Sequence, residues 1–215
     1  MIIVPTRGRP QNLKRFLQAC VDTKVVDKIF VIIDIDEVEQ YNKVLLGNFT
    51  ELNLNWIHTA VTNGICQKLN FAFMMNFDEP YYALMADDIV PKTMNWDKIM
   101  TRDLKKFAVT WGNDCIQKEN LCTHPFVNGD LVRKVGWFCN PRVNHWFFDN
   151  SWMEIGRIIG AKYYPEVIFE HLHPINNTAP NDATYKRQTE SAHDFQHFMY
   201  WQQNELNSIL ERIKQ

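Results

Sequence analysis

The segment Lys28 to Ile35, KIFVIIDI, constrains the fold more than any other part of the chain. Its apolar residues are continuous rather than alternating, so a strand built from it must be covered on both faces, as in a parallel sheet under helices. It closes on Asp34 and then Asp36, which puts carboxylates at the carboxyl end of a buried strand. Met1 to Val4 is a second apolar run, stopped by Pro5, and Tyr81 to Ala86 is a third, stopped by Asp87-Asp88. Between the first two, Leu13, Phe16, Leu17 and Cys20 recur at i, i+3, i+4, i+7, the spacing of one helix face. A helix over 38–46, a strand near Leu54 to His58, a turn at Asn63-Gly64 and a helix carrying Cys66, Leu69, Phe73, Met74 and Phe77 continue the alternation. The pattern predicts an α/β fold, a three-layer α/β/α sandwich with a mostly parallel central sheet, which binds ligands outside the carboxyl ends of its strands.

The second half is less regular. It reads as a helix near 95–106, a strand at Phe107 to Trp111, an aromatic stretch rich in Pro, Gly and Asn to 148, and a helix over 150–160 buried through Trp152, Ile155, Gly156 and Ile159. A strand at Tyr163 to Phe169 leads into Glu170-His171-Leu172-His173-Pro174, followed by a polar segment with the composition of a mobile loop. One long helix from about Ser191 closes the chain, with Ser191 and Asp194 as a capping-box-like start. The 215 residues suit one domain over 1–190, with a nucleotide half at about 1–90, an acceptor half at about 91–175 and a mobile loop at 175–190. Residues 191–215 form a C-terminal helix packed on it.

A 46% share of hydrophobic residues excludes a disordered chain, and a formal net charge of −2 excludes a uniformly basic nucleic-acid-binding surface. The five cysteines, at 20, 66, 115, 122 and 139, form no CxxC pair and no disulfide framework, which points to free thiols in a reducing compartment. Cys115, Cys122 and His124 match no common zinc spacing. No run approaches the ~20 apolar residues of a membrane span, so the expected location is cytoplasmic, with no membrane partner.

IIVPTRGRP at the start, the strand-end Asp34, LMADDI and FFDNSWMEIGRIIG together resemble, in order and over roughly residues 1–175, family-2-like glycosyltransferases with the A-type nucleotide-sugar fold. TAPNDATYKR, after EHLHP, is similar to a segment of phage-encoded members. The resemblance implies a nucleoside diphosphate sugar donor, UDP-sugar favoured, a divalent metal (Mn2+ or Mg2+), and transfer with inversion to an acceptor hydroxyl. The acceptor is a saccharide or, on the phage likeness, a hydroxymethylated DNA base reached in the host cytoplasm.

Residue by residue, Asp87-Asp88 stands where the family carries two acids separated by one residue. Asp88 is expected to bind the metal, and Asp87 the ribose or a metal-bound water. His171 or His173 would complete the coordination; alternation along an extended segment turns both to one side, and His173 is preferred. Asp149 matches the base that takes the acceptor proton, though Phe148 replaces the usual neighbouring Glu. Its competing role, shared with Asn150, is to cap the helix at 150. Pro5, Thr6, Arg7, Asp34, Asn63 and Lys68 or Asn70 fall to the donor, and Lys186 and Arg187 close over the diphosphate. Arg9 and Lys14 read as surface charges. The acceptor side is placed in the stretch Asn128 to Trp146, with Arg133, Lys134, Trp137, Arg142, His145 and Trp146, although Trp137 and Phe138 also read as core. A sugar-phosphate nucleotidylyltransferase would open with a glycine-rich loop, whereas this loop holds only Gly8, and a non-catalytic binding module would have no need of Asp88, Asp149 and the His pair.

Overall fold

The KIFVIIDI run forms a strand, Ile29–Asp34, lying parallel between two others, Ile2–Pro5 and Leu54–Thr59. The computed structural model describes residues 1–45, 48–61, 64–181 and 191–215. In chain order the strands are β1 (Ile2–Pro5), β2 (Ile29–Asp34), β3 (Leu54–Thr59), β4 (Tyr81–Leu84), β5 (Ile89–Pro91), β6 (Val109–Asn113), β7 (Phe126–Asn128) and β8 (Ala161–His171). They make one eight-stranded sheet in the order β3-β2-β1-β4-β7-β6-β8-β5. The pairs among β3, β2, β1 and β4 are parallel, as is β6 with β8; β7 and β5 run antiparallel to their neighbours.

The helices are α1 (Pro10–Asp22), α2 (Val38–Leu45), α3 (Ile65–Met75), α4 (Trp96–Thr101), α5 (Gly129–Val135), α6 (Phe148–Ile159), α7 (Ser191–Asn204) and α8 (Leu206–Lys214). Successive residues of a strand face opposite sides, and β1 displays this directly. Ile3 joins a core with Leu69 and Phe73 of α3, Trp152 of α6, Trp201 of α7 and Ile209 of α8. Ile2 and Val4 join a second core with Leu13 and Phe16 of α1, Tyr41 of α2 and Trp96 of α4. Two cores separated by a sheet are the three-layer α/β/α sandwich. Burying each of these large side chains contributes roughly 1.5–3 kcal/mol, and no helix among the described residues is long and apolar enough to cross a membrane.

Several local expectations change. The helix expected to 106 stops at Thr101, and the one expected at 150 begins at Phe148. The stretch expected to be irregular holds β7 and α5, made possible by Gly129: a Cβ there would lie 2.1 Å from the Glu79 carbonyl. The single C-terminal helix is two, broken at Glu205. The Asp194 carboxylate accepts the N–H groups of Asn144, His145 and Trp146 at 2.8–3.0 Å. Cys66 on α3 and Cys139 are joined by a disulfide, their Cα atoms 5.0 Å apart. This overturns the reading of free thiols throughout and removes its argument for a reducing compartment. A single bridge across 73 residues leaves no local spacing to detect. Asn63, Lys186 and Arg187 lie outside the described residues, as does the 182–190 part of the expected loop.

Candidate active site

Three parallel strands, β2, β1 and β4, end side by side, and each contributes polar groups just past its last residue. Asp34, at the end of β2, is fully buried. It accepts hydrogen bonds from Arg7 Nη1 at 2.5 Å, from Lys68 Nζ at 2.8 Å and from Thr59 Oγ1 at 3.0 Å. Arg7 also forks onto both oxygens of Asp36, at 2.9 and 3.0 Å. The hydrogen bonds it donates to Asp36, then to Asp34, hold the guanidinium firmly protonated despite partial desolvation. The same fork lowers the Asp36 carboxyl. Arg7 and Lys68 reach the cavity wall while Asp34 stands behind them, so the acid aims two cations at the space in front.

Asp87 and Asp88 follow β4 and are both buried. Thr6 Oγ1 donates to Asp87 at 2.5 Å and is itself 2.7 Å from the Tyr41 hydroxyl. Arg9, expected on the surface, is 8% exposed and places Nη1 3.2 Å from Asp88 and 3.5 Å from Asp87. Burial, then the charge of Asp88, lifts the Asp87 carboxyl to about 7 against the opposing pull of Thr6 and Arg9. Two adjacent carboxylates sharing one buried site resist simultaneous ionisation.

His171 is the histidine that faces this pair, with Nε2 3.5 Å from Asp88 Oδ1. The preferred His173 lines the same cavity. β5 pairs His171 directly with Ile89, next to Asp88, and His173, still in extended backbone, keeps its ring 5.2 Å from that of His171, on the same side as expected. His173 Nδ1 accepts the N–H of Ile175 at 3.1 Å and begins a short 3-10 turn. His124 packs edge-on against His171, ring centroids 5.4 Å apart, and its burial, reinforced by His171, lowers it to about 4.

The Asp88 carboxylate and the His171 imidazole suit a divalent cation, and His171 Nδ1 is buried with no hydrogen-bond partner. Among the described residues no set of three His, Cys, Asp or Glu is grouped to hold a metal. A cation there would need oxygens beyond those of this cluster.

Asp149 lies in the first turn of α6, whose N-cap position is Phe147 in the left-handed region and supplies no capping side chain. Its Oδ1 accepts the N–H of Asn150 at 2.9 Å, but with Phe147 at the N-cap neither Asp149 nor Asn150 caps the helix as expected. Burial raises its carboxyl to about 6, outweighing that hydrogen bond. The loop before α6 is fixed by Asp194. Burial alone would raise the Asp194 carboxyl, but the three backbone donors of 144–146 hold it below its ordinary value.

One cavity of about 930 Å³ collects these groups: Pro5, Thr6, Arg7, Arg9, Lys68, Asp87, Asp88, Asp149, His171 and His173 all line it. From the expected acceptor stretch, His145 and Trp146 line it too. The cations of that stretch are used elsewhere: Arg133 holds the Phe77 and Glu79 carbonyls, Lys134 the Ile213 carbonyl, and Arg142 the Glu205 carboxylate. Trp137 and Phe138 are core. Arg9, His124 and Asp194 were missed by sequence reasoning; only Arg9 had a signal, a second cation in a loop facing three strand-end acids.

No protein-family model matches the chain, and no curated protein does. Solved structures do. Staphylococcus aureus TarS superposes with a TM-score of 0.62 at 11% identity over 96% of this chain and 44% of TarS, so the chain spans less than half of that protein. TarS 1-349 in complex with UDP gives 0.61 at 11% identity, over 96% of this chain and 73% of that one. The catalytic domain of Drosophila beta1,4galactosyltransferase 7, in complex with xylobiose, gives 0.55 at 14% identity, over 90% and 82%. A putative glucose-1-phosphate thymidylyltransferase from Bacillus anthracis gives 0.53 at 8% identity, over 76% and 85%. At these identities the likeness establishes the architecture, and the chain has the α/β/α fold of nucleotide-sugar transferases.

Proposed function

We propose that the chain is a glycosyltransferase that moves a sugar from a nucleoside diphosphate, UDP favoured, to an acceptor hydroxyl, with inversion and with Mn2+ or Mg2+ as cofactor. The observation that carries this reading is the single cavity at the strand mouths, which holds an acid pair, two aimed cations and a separate carboxylate raised to about 6. In this reading residues of about 1–90 bind the nucleotide and those of about 91–175 receive the acceptor.

Arg7 and Lys68 bind and orient the anionic donor, and Pro5, Thr6 and Asp87 line its ribose and phosphate path. Asp88 and His171 are the residues that would hold the cation. A bound divalent ion supplies charge neutralisation as negative charge grows on the departing diphosphate. Asp149 takes the proton of the acceptor hydroxyl as that oxygen bonds to the anomeric carbon. The bond from that carbon to the diphosphate oxygen breaks, and the nucleoside diphosphate leaves. A carboxyl titrating near 6 is ionised at neutral pH yet more basic than an exposed one, which suits a general base.

A saccharide is the first acceptor to test, since His145 and Trp146 offer ring faces while Arg133, Lys134 and Arg142 are engaged within the protein. The hydroxymethylated DNA base remains the second, on the TAPNDATYKR likeness. Likeness to a thymidylyltransferase favours nucleotidyl transfer as a rival reading. Product analysis separates the two, because glycosyl transfer releases nucleoside diphosphate and nucleotidyl transfer releases pyrophosphate. The deciding experiment is a thermal-shift screen of nucleotide sugars with and without Mn2+, followed by that product analysis. A UDP-sugar that raises Tm only with Mn2+ and then releases UDP is expected; pyrophosphate release, or no nucleotide sugar raising Tm, would sink the reading.

A further inference from the structure

Arg9 stands where a free cation would have to settle. Its Nη1 lies 3.2 Å from Asp88 Oδ2 and 3.5 Å from Asp87 Oδ1, and all three side chains are only 7% exposed. The residue opens α1 at the N-cap position, directly before Pro10, and its backbone N–H donates to the Tyr41 hydroxyl at 3.2 Å. That anchor holds its Cα in place. Arg9 also lines the cavity, so its guanidinium stands between the acid pair and the space a ligand would enter.

Two electrostatic consequences follow. The acid pair already has a counter-charge, so a divalent ion arriving alone must both displace a guanidinium and sit beside it in a poorly solvated site, where like charges repel strongly. The described residues also offer that ion no set of three His, Cys, Asp or Glu grouped for a metal. A diphosphate removes both obstacles at once. Its oxygens complete the coordination, and they accept the planar fork of the arginine, which binds phosphate well.

We infer that Arg9 is a built-in counter-cation that keeps the Asp87-Asp88 pair closed to free divalent metal and passes to the diphosphate when metal and nucleotide arrive together. The ligand class admitted is thus a metal–nucleoside diphosphate complex. The inference rests on reading the cavity as a nucleotide-sugar site, but its metal half is testable without any nucleotide.

The test titrates Mn2+ alone into the full chain, following free Mn2+ by electron paramagnetic resonance, for wild type, Arg9→Met and Arg9→Lys; Asp88→Asn shows which binding belongs to the acid pair. Arg9→Met is expected to bind Mn2+ alone at least about tenfold more tightly than wild type, because the competing charge is gone, whereas Arg9→Lys keeps the charge and stays weak. In wild type, UDP is expected to tighten Mn2+ by at least about tenfold, and by less in Arg9→Met. A folded Arg9→Met that binds Mn2+ no more tightly than wild type overturns the inference. Should Arg9→Met not fold, wild type decides: Mn2+ affinity that UDP leaves unchanged overturns it, and tightening supports it. If wild type binds no UDP at any Mn2+ concentration, the nucleotide-sugar reading fails, and the Mn2+ affinity of Arg9→Met still decides whether the arginine excludes free metal.

Discussion

Replacing Asp149 with Asn should make the protein more stable and nearly inactive at the same pH. Burial lifts this carboxyl from 3.8 to about 6, which means the ionised form is disfavoured in the fold by about 3 kcal/mol relative to water. The sign follows from linkage: an acid whose folded value is raised contributes stability below its unfolded value near 4 and loses that contribution as pH rises through about 6. At pH 8 the wild-type protein therefore carries a buried charge that Asn does not. Asn can still accept the N–H of Asn150, so the first turn of α6 keeps its hydrogen bond. Asp149→Asn should gain up to about 3 kcal/mol at pH 8, or roughly 2–4 °C in Tm per kcal/mol, and nothing at pH 4. Turnover should fall by about two to four orders of magnitude while Mn2+-dependent UDP binding is unchanged. Wild-type kcat/KM should rise with pH through about 6 and level off. Thermal melts at the two pH values, UDP titration and single-turnover transfer test all of this. An unchanged Tm at pH 8 would refute the desolvation argument, and near-normal turnover would refute the base. Asp130 could not then replace it, being exposed and paired with Arg133 away from the cavity.

Asp88→Asn should abolish turnover and Mn2+-dependent UDP binding, and His171→Ala should weaken that binding more than His173→Ala, because His171 faces Asp88 and His173 holds a backbone turn; calorimetric titration gives the ranking. Lys68→Met should cost about 3 kcal/mol in urea unfolding, since it strips one cation from the fully buried Asp34, and should also weaken UDP binding. Asp194→Ala should cost about 2 kcal/mol by leaving three N–H groups without their acceptor, and should raise the acceptor KM with UDP affinity intact. The Asp194 carboxyl is held low in the fold, so its contribution is present above the unfolded value and lost as pH falls, and the variant's deficit should shrink in acid melts.

The parts of this fold legible in the sequence are those with strong local patterns. β1, β2 and β4 are continuous apolar runs closing on polar residues, and α1, α3 and α6 repeat apolar residues at helical spacing, so the sheet mouth could be assembled on paper. β5 and β7 have three residues each, too few for any period, and exist because β8 and β4 offer them hydrogen-bonding edges. α5 depends on a close backbone approach at Gly129 that no propensity encodes. The site divides in the same way. Asp34, Asp87, Asp88 and Asp149 stand at ends of elements, where polar residues after an apolar run are conspicuous. Arg9 looks like any loop arginine until β1 and β4 are paired, since what buries it is the acid pair 78 residues later in the chain.

The charges in the cavity are arranged as exchangeable pairs. Arg7 and Lys68 share Asp34, and Arg9 spans Asp87 and Asp88, so each of these three cavity cations among the described residues has a carboxylate in contact. A buried cation without a counter-charge would be costly in the empty protein, and a cavity lined by several would take up any phosphate. Pairing lowers that cost, but a simple anion must then compete with carboxylates already in place. A metal–diphosphate complex competes on better terms, because it brings a cation for the acids that lose their partner as well as oxygens for the arginine that moves. In the proposed function, selectivity for the complex over free phosphate or free metal would then come from the order of charges along the strand ends. Neutralising one acid by substitution should erode that selectivity in a definite direction. Asp87→Asn leaves Arg9 less firmly held by carboxylates and should let inorganic phosphate compete with UDP at lower concentration than in wild type, measured as displacement of Mn2+-bound UDP. An unchanged phosphate concentration for half-displacement would show that the pairs do not set selectivity, and that the cavity discriminates by contacts with the nucleoside instead.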